Sequence, residues 1–197
     1  MLLHFARAWA YPLWRIVIRS NAAEDVVEDI DFWIRCIDQP DLLALDRYSR
    51  FAYLTAALTE FRTLVHYRLR SSPWPLRFVL NKLYRPATAL VLEADRIGPA
   101  LFIQHGVGTV VSVESIGSHC WINQQVTIGY NAKGRPTLHD GVRVGAGAVI
   151  IGPITLHEGA TIGANATVID DVPSGVTVVA PTATVLRRRQ QDGEGRA

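Results

Sequence analysis

Residues 137–168 read TLHDGVRVGAGAVIIGPITLHEGATIGANATV, and a branched aliphatic returns at every sixth position: Leu138, Val144, Ile150, Leu156, Ile162 and Val168. A period of six matches neither the 3.6-residue turn of a helix nor the two-residue alternation of a flat strand, and the glycines would break a helix. Three residues after these aliphatics stand Gly141, Gly147, Pro153, Gly159 and Asn165, types that suit a turn or a left-handed backbone. Four residues after stand Val142, Ala148, Ile154, Ala160 and Ala166, small or medium and apolar. Each hexad therefore supplies a short strand, one large and one small inward side chain, and a turn. Three hexads close a three-sided coil, and stacked coils bury a continuous core while pairing their backbones.

Toward the N-terminus the period continues through Ile128, Ile122, Ile116 and Val110, and before them through Ile103 and Ile97. It fails twice. The step from Ile103 to Val110 is seven residues, across Gln104-His105-Gly106-Val107-Gly108-Thr109, and the step from Ile128 to Leu138 is ten, across a polar, glycine-containing loop. Sites of chemistry are expected where a regular pattern breaks. Histidine titrates near neutrality and can take a proton from an attacking hydroxyl, while the neighbouring glycines let a substrate approach the backbone. On pattern alone His105 reads equally as a general base or as a hydrogen-bonded corner residue.

Residues 1–87 follow a different grammar and are expected to form an α-helical N-terminal domain. The run FAYLTAALTEFRTLVHYRLRSS repeats Leu54, Leu58, Phe61, Leu64, Val65 and Leu69 at helical spacing, and AAEDVVEDIDFWIRCI carries acids in its first turn. The opening MLLHFARAWAYPLWRIVIRS is interrupted by His4, Arg7, Pro12 and Arg15, so a packed helix is expected there rather than a spanning segment. Trp74, Leu76, Phe78, Val79 and Leu80 lie among basic residues, and a short packed helix is the favoured reading over docking on a membrane surface. The expected division is completed by a β-helix over 88–185 and a flexible basic tail over 186–197. A chain of 197 residues with net charge +2 gives no ground for a nucleic-acid partner. Cys36 and Cys120 match no metal or redox spacing, which fits a reduced, cytoplasmic protein.

The stretch from Ile97 to Pro181, with FIQHGVGTVVSVESIG, CWINQQVTIG, GVRVGAGAVIIGPITL, ATIGANATVIDDVP and VVAPTATVL, resembles the hexapeptide-repeat acyltransferases. Within them it is most similar to the serine acetyltransferases and their relatives in surface-polysaccharide biosynthesis. The resemblance implies a mainly β fold, a left-handed parallel β-helix preceded by an α-helical domain, assembled as a homotrimer or a dimer of trimers. It further implies transfer of an acetyl group from acetyl-CoA, as co-substrate, to a small hydroxyl acceptor, with His105 as general base and no metal. The family's acetyl-CoA track maps onto Gly129 and Tyr130, then Ala146 and Gly147, then Gly163, Ala164 and Asn165. A backbone N–H near Gly129 or Tyr130 would serve as oxyanion donor, and Arg143 or the Arg187-Arg188-Arg189 run would meet the nucleotide phosphates.

Three departures bear on the acceptor. The family's aspartate before the catalytic histidine is Gln104 here, and its loop histidine is Arg135. The orienting aspartate aligns with Leu90, unless a small shift brings Glu93 or Asp95 into the role; Glu93 is taken as the candidate. With the groups that hold an amino acid replaced, a sugar hydroxyl competes with serine as acceptor. Two other classes are weighed. His139 and His157 stack one coil apart and with a third ligand would make a metal-dependent hydratase; a non-catalytic scaffold is the remaining reading. Cys120 is expected in the core, and Glu114 falls where the frame wants a small apolar residue.

Overall fold

The structure, a computed structural model, describes residues 2–185; the tail expected at 186–197, with Arg187, Arg188 and Arg189, lies outside the described residues. Six helices come first: α1 (Leu2–Val17), α2 (Ala23–Ile37), α3 (Pro40–Leu43), α4 (Arg47–Ala57), α5 (Thr59–Arg68) and α6 (Trp74–Leu83). Twelve short strands follow: β1 (Leu90–Ile97), β2 (Phe102–Ile103), β3 (Thr109–Ile116), β4 (Trp121–Ile122), β5 (Thr127–Gly129), β6 (Thr137–Leu138), β7 (Arg143–Val144), β8 (Val149–Ile151), β9 (Thr155–Leu156), β10 (Thr161–Ile162), β11 (Thr167–Val168) and β12 (Thr177–Val178).

All strand pairings are parallel and in register, and they make a left-handed β-helix of about five coils. On one face the inward ladder is Ile103, Ile122, Val144, Ile162 and Val178. On the second it is Ile97, Ile116, Leu138, Leu156 and Val172. On the third it is Leu92, Val111, Ile128, Ile150 and Val168. Leu138, Val144, Ile150, Leu156, Ile162 and Val168 are all buried, as the six-residue period requires.

The third ladder corrects the frame at one point. Val110 is 41% exposed and Val111 is fully buried, so the inward residue is one position later and the irregular step from Ile103 is eight residues long. The cause is β3, which runs unbroken around a corner from one face to the next. The following step is thereby shortened to five residues, with both Val111 and Val113 inside and Glu114 turned to solvent. This accounts for an acid where the frame wanted a small apolar side chain. A second adjustment concerns Pro153: the positive φ at that corner belongs to Gly152, since proline cannot adopt it.

The single helix suggested by FAYLTAALTEFRTLVHYRLRSS is two, because Leu58 is extended and separates α4 from α5. The helices seat on the first coils through a buried polar joint. Arg68 on α5 donates to both oxygens of Asp29 on α2, at 2.9 and 3.0 Å, and to the carbonyls of Ile97 and Gly98, at 2.6 and 2.7 Å. Asp29 also accepts from the amide of Ala100 at 2.8 Å. Burial pushes the Asp29 carboxyl up, while the guanidinium and the amides pull it back. Beside this joint Trp33 packs edge-on to Phe102 and Phe61, and its indole N–H donates to the Leu101 carbonyl. Among the described residues no helix is long and apolar enough to cross a membrane.

Candidate active site

Two of the three prism edges are marked by stacked left-handed corner residues. One edge carries Ala100, His119, Gly141, Gly159 and Gly175; another carries Gly108, Gln125, Gly147 and Asn165. His105, with φ 52°, belongs to neither stack. It is the additional left-handed residue created by the long step after Ile103. A non-glycine residue in that region is uncommon and is held there only when its surroundings enforce it. Here the anchors are backbone bonds on both sides: the Gln104 amide to the Ile122 carbonyl at 2.8 Å, and the Gly108 amide to the Ala89 carbonyl at 2.9 Å. His105 itself is exposed.

Its neighbours are fixed more tightly. The Gly106 amide donates to Oε1 of Glu60 at 3.2 Å, and a Cβ at Gly106 would crowd Glu60, Ile103 and Leu90. Gly106 and Val107 line a cleft of about 250 Å³ with Thr59, Glu60, Arg62 and Arg85. Gln104, read as an acceptor contact, accepts instead from the indole N–H of Trp121 at 3.2 Å. Glu60 was not legible as a site residue: it lies 46 positions from Gly106, in the first turn of α5, where an acid is expected for helix reasons alone.

Glu93 is not brought to His105. It stands on β1 in register with Ser112, three residues or about 10 Å beyond the Leu90 that packs near Gly106. Among the described residues no carboxylate is ion-paired with His105. Glu93 faces a different cleft, of about 640 Å³, which it shares with Asp95, Arg135, Arg70, His66 and Tyr67. Arg135 donates there to Asp95 at 2.6 Å and to the Val113 carbonyl at 3.0 Å, and these acids hold its guanidinium above the usual arginine range. His66 is pushed down by burial, with its Nε2 at 2.7 Å from the Tyr84 carbonyl.

The residues assigned to an acetyl-CoA track divide between two edges. Ala146 and Gly147, then Gly163, Ala164 and Asn165, lie on successive coils of the edge on which His105 sits, and the Asn165 amide donates to the Ala146 carbonyl at 2.9 Å. Backbone approaches backbone closely here: a Cβ at Gly145 would lie 2.7 Å from the Ala164 nitrogen. Gly129 and Tyr130 close β5 at the next edge, one face away, where the ten-residue step extrudes a turn held by Asn131 and Gly134. Tyr130 is 66% exposed. Arg143 lies on the face of the prism, its guanidinium 5.9 Å from the Trp121 ring centroid.

The remaining candidates have structural places. Cys120 is fully buried and its thiol is pushed up to about 12; Cys36 is pushed up by burial to about 11. Neither is suited to act as a thiolate nucleophile at neutral pH. The His139 and His157 rings stack with centroids 5.3 Å apart, but among the described residues no third ligand joins them.

Comparison with known proteins agrees with this fold. The family model for the bacterial transferase hexapeptide (six repeats) matches residues 135–170. A serine acetyltransferase of Helicobacter pylori is 36% identical over 136 residues, which cover 64% of this chain and 80% of that protein. One from Synechococcus elongatus is 43% identical over 116 residues, 56% of this chain, and the match spans only about half, 48%, of its length. Among solved structures, the Neisseria gonorrhoeae serine acetyltransferase in complex with serine superposes with a TM-score of 0.64 at 26% identity, over 87% of this chain and 72% of that one. The soybean apoenzyme gives 0.61 at 29% identity, over 84% and 69%. On its repeat, its helical cap and these relatives, the chain belongs to the serine acetyltransferase-like family of hexapeptide-repeat acyltransferases.

Proposed function

We propose that the protein is an acetyl-CoA-dependent O-acetyltransferase in which His105 is the general base. The observation that carries this reading is the placement of an exposed imidazole on a left-handed, non-glycine residue of the β-helix that belongs to neither corner stack, on the same edge as the small-residue track of Ala146–Gly147 and Gly163–Asn165. The acceptor hydroxyl attacks the thioester carbonyl while its proton passes to the imidazole. The tetrahedral intermediate collapses, the C–S bond breaks, and the imidazolium returns the proton to the leaving thiolate. Ester and free thiol are the products, with no covalent enzyme intermediate. In this scheme Glu60, bonded to the Gly106 amide, holds the backbone beside the base in place.

A homotrimer fits the division of the track. Between the His105 edge and the Tyr130 edge lies a face whose outward ladder is Val91, Val110, Thr127, Val149 and Thr167, with Val91 and Val110 each at least 40% exposed. Packing this apolar face against a second copy would bring both edges to one seam. As acceptor, a sugar hydroxyl competes with serine: the relatives support serine, while Gln104 and Arg135, engaged here with Trp121 and Asp95, stand where the resemblance places the family's amino-acid contacts.

The test is release of free thiol from acetyl-CoA with serine and with a panel of sugars and nucleotide sugars. Acceptor-dependent release that disappears in His105→Ala is expected. Full turnover by His105→Ala would remove the imidazole from the mechanism.

A further inference from the structure

Helix α6 packs only half of its circumference. At about 100° per residue, Leu76, Leu80 and Tyr84 form the arc that meets the rest of the protein, and Leu80 and Tyr84 are buried. The opposite arc carries Trp74, Phe78 and Lys82, and Val79 and Leu83 lie on the flank between the two arcs. Trp74 is 75% exposed, and Phe78, Val79 and Leu83 are exposed at 57%, 48% and 56%. The patch continues onto α1, because the Tyr84 hydroxyl donates to the Trp9 carbonyl at 2.9 Å and the two rings lie 4.8 Å apart. One turn away on α1 stands Phe5, 69% exposed. So large an outward apolar surface marks an interaction site rather than chance exposure.

Its charge pattern selects the partner. Between Glu60 and Glu93 the sequence holds no acid, while Arg77, Lys82 and Arg85 are exposed among the apolar residues. Residues 1–23 likewise hold no acid and carry Arg7, Arg15 and Arg19, of which Arg7 is paired with Asp46 at 3.9 Å. Lys82 lies along the Phe78 ring, with its Nζ 5.6 Å from the centroid. A second copy docked face to face would set cation against cation with no carboxylate from these segments to offset them. An anionic bilayer instead takes the aromatic and aliphatic side chains into its headgroup boundary and the lysine and arginines onto its phosphates.

We infer that the α6 face, with the adjoining Phe5–Trp9 edge of α1, is a docking surface for anionic membrane lipid. The inference does not depend on the acetyl-transfer reading, since no substrate enters it. It adds a membrane contact to the short packed helix expected there, which α6 forms with Leu80 buried.

The experiment is co-sedimentation of the full chain with large unilamellar vesicles of phosphatidylcholine alone or with about one third phosphatidylglycerol, with tryptophan emission followed in parallel and Trp74→Phe as the reference that isolates the Trp74 contribution. Binding only to the anionic vesicles with a blue-shifted emission is expected, weakening steeply with salt. Arg77→Glu/Lys82→Glu alters only exposed positions and should lower partitioning at least about tenfold. Trp74→Ser/Phe78→Ser should lower it comparably at unchanged sedimentation coefficient. Absence of binding by the native chain, equal binding to both vesicle types, or a change of assembly size in Trp74→Ser/Phe78→Ser with no effect on vesicle binding would each overturn the assignment.

Discussion

The coils from β6 onward and the coils built on β1 and β3 are made from the same strand and the same parallel pairing, yet they do different work. In the later coils every inward position is aliphatic and the corners sit in stacks. In the earlier coils β3 turns a corner without a break, one step is lengthened and the next shortened, and His105 appears as a left-handed residue with no counterpart above it. Regular repetition stabilises the prism, because each coil is satisfied by its neighbours alone. Departure from it leaves a side chain whose position is set by the coils on either side and whose chemistry is free.

That contrast can be broken most sharply at His105. His105→Ala is expected to lower the rate of thiol release by about 10²–10⁴ while leaving the denaturant midpoint in place. A core truncation such as Leu156→Ala should do the reverse, costing about 2–5 kcal/mol of stability with the remaining folded enzyme still active. The joint between the regions is comparably sensitive. Arg68→Ala leaves the buried Asp29 carboxylate unpaired and should cost about 3–5 kcal/mol, measured by equilibrium unfolding.

A smaller effect tests whether the irregular corner is strained. His105→Gly removes the ring and also the Cβ penalty at φ 52°, so it should be more stable than His105→Ala by about 1 kcal/mol, though equally inactive. The smallest lies in the helices. Asp46 caps α4, and the hydroxyl and amide of Ser49 hold its carboxyl below the usual carboxylate range. Its folded pKa is depressed, so its contribution is complete above the unfolded value of about 3.9 and is lost as pH falls through the folded value. Asp46→Ala should cost about 1 kcal/mol at neutral pH, and Asp46→Asn should keep the cap while flattening the acid limb of the stability profile.

The prism was readable because its period is written once per hexad and every large inward residue is aliphatic. The frame slipped at Val110 because adjacent valines, Val110 and Val111, satisfy an aliphatic pattern equally well, and only pairing with Ile128 decides which one turns in. His105 was visible as a break in rhythm. Its surroundings were not, since Glu60 reaches Gly106 from a helix packed on the coil, and long-range packing leaves no local signature. For the same reason Glu93 looked close to the site in sequence although it faces the Arg135 cleft. The helical half was legible in its periodicity but not in its break at Leu58 or its exposed aromatics, because apolar spacing shows that a stripe exists and not what covers it.

The parallel stacking has one further consequence. Each coil adds about 4.8 Å along the prism axis, so the ladder from Phe102 through Trp121, Arg143 and Thr161 to Thr177 is a graduated scale. Excision or duplication of a whole turn would shift everything beyond it by one graduation without disturbing what precedes it. Length along the prism axis can therefore change in whole steps while the first coils stay where they are.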